Sequence, residues 1–280
     1  KDGYHQWSET YDGDLQDVFA LQERIAQAIA GKLQLTLSGQ QAQRLVDAGT
    51  SNPQAYQLYL RASSTFDRRD GPHMLDAVKQ LEQAVALDPG YARAYSRLAA
   101  LHAILPTYFR GRYAGRDVQV RDNARRAIEL DPHLAEPWAA MGLATPLSGN
   151  GLIESREYFE KALQRDPDDI TSNFWFGLTL VRSGYNRSGA EHIEHALAVD
   201  PMVPNLMRWR GVLYLRDGDI ANAEQFLKRA SAAGLRLAGR ELGEITFRHG
   251  DAEAAKRIWA DGSDPMLSQL KPGAREVLGD

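Results

Sequence analysis

The sequence of 280 residues contains no cysteine, no excess of positive charge and no long apolar run. The absence of cysteine excludes disulfide bonds, thiolate zinc sites and cysteine nucleophiles, but it leaves the cellular compartment open. No apolar stretch approaches the roughly 20 residues of a membrane-spanning helix. Lys and Arg number 33 against 37 Asp and Glu, which gives a net charge of −4. This balance disfavours nucleic-acid binding, and we expect none in this region.

Catalytic motifs are absent as well. The sequence has no G-x-S-x-G elbow, no P-loop and no H-E-x-x-H motif. His192 and His195 are three residues apart and share a helix face, a spacing compatible with one metal ion. The alternative is that both are solvated residues beside buried positions. We favour this alternative and predict no catalytic residues, no metal, no cofactor and no enzymatic activity; a metal protein or enzyme using this pair is the rival interpretation.

An internal repeat dominates the remaining sequence. The dipeptide Asp-Pro recurs four times, and successive prolines are 43, 35 and 34 residues apart. Each dipeptide closes a stretch with small or apolar residues at spacings of three and four, such as Ala77, Leu81 and Ala84. This spacing predicts an amphipathic helix that the proline ends. The four dipeptides lie at 88–89, 131–132, 166–167 and 200–201.

A second helical pattern begins six residues after each proline, so each unit is predicted to be a helix hairpin. The units resemble the tetratricopeptide repeat (TPR), a hairpin of about 34 residues. The resemblance implies an all-α, right-handed solenoid of five to six hairpins over residues 51–262. In the third unit the matching residues are Trp138, Met141, Gly142, Phe159, Ala162 and Pro167.

Glycines recur near the middle of the first helix in the later units, where each costs about 1 kcal/mol of helix propensity relative to alanine. We expect close approach of the second helix to offset this cost, with an alanine of that helix at the contact. We also expect the stacked hairpins to share one continuous apolar spine. The glycines are Gly142, Gly177, Gly211 and Gly243, and the alanines are Ala162, Ala196 and Ala230.

The first fifty residues do not follow the repeat. Alternation from Tyr4 to Ser8 predicts a strand, and apolar residues from Val18 to Leu33 at helical spacing predict a helix. A single strand cannot satisfy its own backbone groups, so we interpret residues 1–50 as the remnant of an α/β domain and the chain as a fragment. Residues 263–280 are predicted to form an irregular tail.

The segment before the repeats resembles the closing strand and helix of the TolB-like region of two kinds of bacterial regulator. One is the class III adenylate cyclase with a TPR tail, and the other is the winged-helix, membrane-spanning transcription activator. The residues that carry the resemblance are Trp7, Ser8, Glu9, Tyr11, Asp12, Asp17, Phe19, Gln22, Ile25, Ala26 and the run from Asn52 to Leu60.

This resemblance implies a non-catalytic protein–protein interaction or sensory module of a bacterial signalling or transcription regulator, with a protein or peptide partner. The alternative is a regulatory appendage of an adenylate cyclase whose catalytic domain lies outside this chain. The compartment, cytoplasm or periplasm, depends on the preceding part of the protein. Homo-oligomerisation stays open at this point.

TPR arrays bind partners mainly in a concave groove lined by the first helix of each hairpin, and the resemblance places several side chains there. We expect a cationic groove that takes an extended acidic or apolar segment, with arginines on carboxylates and a phenylalanine as apolar anchor. The alternative is that the arginines pair with Glu241, Glu244 and Asp217 in a solvated network of little energetic value. The groove residues are Arg182, Arg208, Arg216, Arg240, Phe174 and Phe247.

The second unit is longer than the others, and its surplus lies at residues 106–117. This segment contains Tyr108 and Phe109 among several arginines. An aromatic–arginine mixture is typical of interface hot spots, which makes the two aromatic residues candidate partner contacts. The alternative is that the segment folds back and its aromatic rings cover neighbouring repeats.

Overall fold

The computed structural model describes residues 48–69, 71–109 and 117–261, and all regular structure within these ranges is helical. The predicted all-α class is therefore confirmed, while the strand and helix predicted before residue 48 and the tail lie outside the described residues. A short 3₁₀ helix, Gly71–His73, precedes the second α-helix. The twelve α-helices are α1 (Pro53–Asp67), α2 (Met74–Leu87), α3 (Ala92–Tyr108), α4 (Asp117–Leu130), α5 (Glu136–Ala144), α6 (Gly151–Arg165), α7 (Ile170–Arg182), α8 (Asn186–Val199), α9 (Pro204–Arg216), α10 (Ile220–Ala232), α11 (Ala238–Arg248) and α12 (Ala252–Asp261).

The helices pack as six successive hairpins, from α1 with α2 to α11 with α12. The second helix of each hairpin also packs against the first helix of the next. In α1, α3, α5 and α7, the first helices pack directly on one another, whereas the second helices do not pack closely on their counterparts. The stack therefore curves with its first helices inside, and we call the six first helices the inner row. None of the described helices is both long and apolar enough to cross a membrane.

Several helices begin at a side-chain cap. The Asn52 side chain accepts hydrogen bonds from the backbone N–H groups of Gln54 and Ala55, both at 3.0 Å, at the start of α1. Asp169 caps α7 and Asp219 caps α10 in the same way. Each cap satisfies a donor that the first helical turn leaves unpaired, which fixes where the helix begins.

The Asp-Pro dipeptides end helices as predicted, and the aspartate has a role of its own. Asp88, Asp166 and Asp200 leave the helical conformation, with φ between −137° and −144°. The carboxylate then accepts a hydrogen bond from the backbone N–H two residues later, which starts the turn to the next hairpin. The four bonds run from Gly90 to Asp88 (2.9 Å), from His133 to Asp131 (2.9 Å), from Asp168 to Asp166 (3.0 Å) and from Met202 to Asp200 (2.8 Å).

The glycines of the inner row do mark close approach, but the expected alanine contact is wrong. A Cβ added at Gly142 would lie 2.9 Å from the ring of Phe159, and one at Gly211 would lie 2.8 Å from Leu227 Cγ. At Gly243 it would lie 2.2 Å from the indole nitrogen of Trp259. The glycine makes room for a large side chain of the second helix. The buried alanine lies three residues further on.

The two helices of hairpin 4 approach each other more closely, because Gly177 of α7 faces Gly189 of α8. A Cβ at Gly177 would lie 2.7 Å from the backbone oxygen of Gly189 and 2.8 Å from Ile193 Cγ1. In the other direction, a Cβ at Gly189 would lie 2.6 Å from the backbone oxygen of Gly177. The backbones of α7 and α8 are therefore in contact, and neither position accommodates a side chain without a shift.

The expected continuous apolar spine divides near α9 into two clusters of buried residues, and the partly buried Leu197 of α8 packs against both. The larger cluster extends from Ala48 to Leu213, and the smaller one from Met207 to Ile245. They meet on α9, where Leu206 and Leu213 belong to the larger cluster and Met207 to the smaller. The break between the clusters coincides with a change in the inner row. Helices α3, α5 and α7 pack closely on one another, whereas α7, α9 and α11 are further apart.

Candidate partner-binding face

In hairpins 1–4 the inner row is filled by the protein's own side chains. The rings of Phe66 on α1 and Trp175 on α7 meet edge to face, with centroids 6.1 Å apart and planes at 74°. Phe66 is 2% exposed and Trp175 is 1% exposed. Aromatic pairs of this geometry stabilise a core beyond their buried area. Two residues on helices far apart in the sequence thus close this part of the curve.

An ion pair between Arg97 and Glu136 also fills the inner row in this region. Arg97 Nε lies 3.1 Å from Glu136 Oε1 of α5, and Arg97 Nη1 lies 3.3 Å from Asp67 Oδ1 of α1. The Ser96 hydroxyl donates a hydrogen bond of 2.8 Å to the same glutamate. Burial acts to lower the pKa of Arg97, but Glu136 and further neighbours outweigh it and hold that pKa above its ordinary value. Arg97 is therefore charged at every physiological pH.

Two guanidinium groups lie against the Phe66 ring. Arg69 Cζ is 4.3 Å and Arg97 Cζ is 4.5 Å from the ring centroid, distances typical of cation–π contacts. Arg69 has a φ of 55°, which is unusual for a residue with a side chain. Burial lowers its pKa. The sequence analysis missed this group, since neither Arg97 nor Glu136 belongs to a recognisable motif.

Tyr108 and Phe109 pack against the protein itself. Both are partly buried beside the larger apolar cluster. A Cβ added at Gly71 would lie 2.9 Å from Tyr108 Cδ1, so the tyrosine ring covers the turn of hairpin 1. Helix α3 continues through Pro106 to Tyr108, and residues 110–116 lie outside the described residues. The packing agrees with the alternative interpretation, in which the aromatic rings cover neighbouring repeats.

Arg208 pairs with Glu241, the partner that the alternative interpretation names, but the pair is mostly buried rather than solvated. Its guanidinium forms two hydrogen bonds to the Glu241 carboxylate of α11, and Nε lies 3.0 Å from Oε2. The two side chains are 12% and 10% exposed. Arg210 on the same helix pairs with Glu194 of α8 at 2.7 Å. The first of these pairs connects α9 to α11, where the backbones are further apart.

Three other groove arginines are exposed. Arg182 and Arg216 are the last residues of α7 and α9, and Arg240 lies in the first turn of α11. Within the described part of the chain, none of the three forms an ion pair or another side-chain hydrogen bond. Of the acidic residues proposed as their partners, Glu244 pairs with Arg248 at 2.6 Å. A cation at a helix C-terminus is favourable to the helix dipole, so Arg182 and Arg216 also stabilise their helices.

The two phenylalanines differ in exposure. Phe174 is 4% exposed and belongs to the larger apolar cluster, so the expectation that it serves as an accessible anchor is wrong. Phe247 is 47% exposed, and its ring lies 6.1 Å from that of Trp259. It is available to a ligand at the end of the inner row.

His192 and His195 have separate partners. His192 Nδ1 is 3.0 Å from Asn173 Oδ1, and its ring lies 4.5 Å from that of Phe176. His195 Nε2 is 2.8 Å from Asp168 Oδ1 at the surface. Burial, followed by the charge of His195, lowers the pKa of His192. The described ranges contain no cluster of three or more metal-ligating side chains.

The chain is similar in sequence to part of a bacterial protein. No family model matches the chain. Over 160 residues, or 56% of its length, the chain is 29% identical to "Putative adenylate cyclase 3" of Rhizobium meliloti (strain 1021). The chain spans about a quarter of that relative, since the aligned region is 26% of it.

Two solved structures share the architecture. One is the structure of the APC/C hetero-tetramer Cut9-Hcn1, with a TM-score of 0.63 and 17% identity over 89% of this chain and 42% of the other. The other is TTC0263, a thermophilic TPR protein of Thermus thermophilus, with a TM-score of 0.51 and 15% identity over 64% of this chain and 91% of the other. The six hairpins, their Asp-Pro turns and these similarities together show that the chain has the tetratricopeptide-repeat fold.

Proposed function

We propose that this chain is a non-catalytic protein–protein interaction module of a larger bacterial signalling or transcription regulator. One observation carries the proposal. Three exposed arginines without ion pairs among the described residues, Arg182, Arg216 and Arg240, lie on successive helices of the inner row, and Phe247 is exposed on the last of them. Exposed charged side chains without internal partners favour binding of an external one.

The remainder of the molecule supports a binding role through its fold. The TPR fold presents a continuous row of helices, and such solenoids create extended concave binding surfaces. The similar structure of Cut9-Hcn1 is described as a hetero-tetramer. The setting in a regulator rests on the TolB-like resemblance of the first fifty residues.

A photo-crosslinking experiment tests the proposal. Phe247 is replaced by p-benzoylphenylalanine in the intact parent protein, expressed in its own cell, and a matched variant carries the same group at Ile153, which is 63% exposed on α6. We expect a discrete crosslinked protein at Phe247 and none at Ile153. Identical crosslinking patterns at the two positions would rule out the inner row as the partner face.

A second candidate function is the regulatory appendage of an adenylate cyclase. The 29% identity to the Rhizobium meliloti protein favours it. In this case the parent protein forms cyclic AMP from ATP, and charge reversal of Arg182, Arg216 and Arg240 changes that rate without removing it. A parent protein with a DNA-binding domain upstream and no cyclase activity would favour the transcription regulator instead.

A further inference from the structure

We infer that the partner presents an extended acidic segment whose carboxylates bind Arg182, Arg216 and Arg240. The inference rests on the proposed function, because it names the chemistry of the partner at the same face. It goes further by excluding hairpins 1–3 from the contact and by assigning the three arginines as the binding groups.

The distribution of ion pairs is the first argument. Each of the six second helices neutralises at least one of its exposed cations through a carboxylate three or four residues away. In the inner row, Arg182, Arg216 and Arg240 form no such pair among the described residues, and Glu244, four residues after Arg240, pairs with Arg248 instead. The second-helix pairs are Lys79–Asp76, Arg121–Asp117, Arg156–Glu160, Arg187–Glu191, Lys228–Glu224 and Lys256–Glu253.

The second argument is that an arginine of the inner row already binds a carboxylate, that of Glu241. Arg208 and Arg240 occupy equivalent repeat positions, each three residues before the glycine of its helix. At Arg208 this position holds the Glu241 carboxylate in a two-pronged hydrogen bond. Planar guanidinium groups suit carboxylates in this geometry, and at Arg240 the same group has no acceptor among the described side chains.

The shape of the inner row restricts where the segment lies. Phe66 of α1, Arg97 of α3 and Trp175 of α7 fill the row between α1 and α7, so no segment fits over hairpins 1–3. Toward α11 the first helices are further apart, and the exposed Phe247 ring lies at that end. The segment therefore lies across α7, α9 and α11.

The charges around the arginines favour a peptide over a nucleic acid or a lipid surface. Two exposed carboxylates lie near the arginines: Asp217 follows Arg216 in the chain, and Glu244 is one helical turn from Arg240. They repel a dense line of phosphates but leave separate sites for single carboxylates. The net charge of −4 acts in the same direction.

Binding of labelled peptides to the whole purified chain tests the inference. The probe is a fluorescein-labelled peptide of about twelve residues that alternates Glu and Ser, long enough to cross three first helices, and the reference peptide has Gln in place of Glu. The test variant combines Arg182→Glu, Arg216→Glu and Arg240→Glu. The control variant combines Arg61→Glu, Arg125→Glu and Arg257→Glu, which are exposed, form no ion pair among the described residues and give the same change of net charge.

We expect the Glu peptide to bind at least about tenfold more tightly than the Gln peptide, and added salt to weaken it. The test variant should bind it at least about tenfold more weakly than the control variant does. Equal loss in both variants, or no binding of the Glu peptide to the unchanged chain, would overturn the inference. Tighter binding of single-stranded DNA or of phosphatidylserine vesicles than of the Glu peptide would overturn it as well.

The two proposals fail separately. If crosslinking at Phe247 captures a partner and the Glu peptide does not bind, the interaction module stands and its acidic partner does not. If neither the crosslink nor the peptide binding is observed, both proposals fall.

Discussion

In hairpins 1–4, Phe66, Trp175 and the Arg97–Glu136 ion pair occupy the inner row, whereas in hairpins 5 and 6 the Arg208–Glu241 ion pair bridges it. The same repeat builds both regions, with the same glycine seams within the later hairpins. The spacing of the first helices differs, and closer helices bury the side chains between them. The repeat thus fixes the hairpin, while residues outside its pattern decide whether the inner face is closed or open.

Trp175 and Trp209 make this comparison quantitative, because they occupy equivalent positions one repeat apart. Trp175 is fully buried, whereas Trp209 is half-buried. We expect Trp175→Ala to lower the free energy of unfolding by about 3–5 kcal/mol, since it leaves a cavity beside Phe66. Trp209→Ala should cost at most about 2 kcal/mol, because much of its ring is hydrated already. Urea unfolding followed by circular dichroism measures both, and equal losses would contradict the difference between the regions.

Glu241→Gln tests the bridge between α9 and α11. The substitution leaves the mostly buried Arg208 guanidinium without its counter-charge, and we expect a loss of about 3 kcal/mol. The matched control is Glu244→Gln, three residues away, whose exposed pair with Arg248 should contribute less than about 1 kcal/mol. Hydrogen exchange should show the loss in α9 to α12 and not in α1 to α6. A loss no larger than that of the control would mean that the bridge does not hold the two helices together.

Gly177→Ala and Gly211→Ala compare the seams of hairpins 4 and 5. At Gly177 the new methyl group meets the backbone oxygen of Gly189 at 2.7 Å, which cannot move without its helix. At Gly211 it meets Cγ of the buried Leu227 at 2.8 Å and the backbone oxygen of Ala223 at 3.1 Å. Helix propensity offsets about 1 kcal/mol of the strain at both positions, and we expect a net loss of about 2 kcal/mol at Gly177 and about 1 kcal/mol at Gly211, where the closest atom belongs to a side chain. Thermal unfolding of the two variants decides this, and the reverse order would refute the backbone contact between α7 and α8.

The pH dependence of hairpin 4 should be the smallest effect. Burial lowers the pKa of His192 in the folded protein, while the unfolded chain takes up this proton near the ordinary value of 6.5. The unfolded state therefore binds more protons as the pH falls below about 6.5, and the stability present above this pH is progressively lost. Urea unfolding at about pH 7.5 and about pH 5.5, on either side of the ordinary histidine pKa, measures the loss, and His192→Gln should reduce it. A variant that keeps the full pH dependence would assign it to other groups, and His133→Gln, at an exposed histidine before α5, serves as the control.

Local features of this fold could be predicted from the sequence. Asp88 and Pro89 lie side by side in the chain, so the turn that they form depends on no distant residue. The glycine seam was predictable for the same reason, since Gly142 and Phe159 belong to one hairpin. The contact was assigned to Ala162 rather than to Phe159 because the pattern shows which residues are buried and not which atoms touch.

The inner face could not be predicted in this way. Phe66 and Trp175 meet only because successive hairpins curve toward each other, and no local pattern encodes that curvature. Phe174 occupies a groove position of the repeat, yet it is buried in the larger apolar cluster. The sequence identified the exposed arginines as groove residues. It could not predict that they form no ion pairs among the described residues, because ion pairing depends on the packing of neighbouring helices.

Hydrogen–deuterium exchange of the whole chain with and without the Glu peptide tests the central claim most directly, because it reports on every first helix at once. The account predicts slower exchange in α7, α9 and α11 on peptide addition, with α1, α3 and α5 unchanged. Slower exchange along α1, α3 and α5 would show that the inner row of hairpins 1–3 is open to a ligand, and would contradict the account.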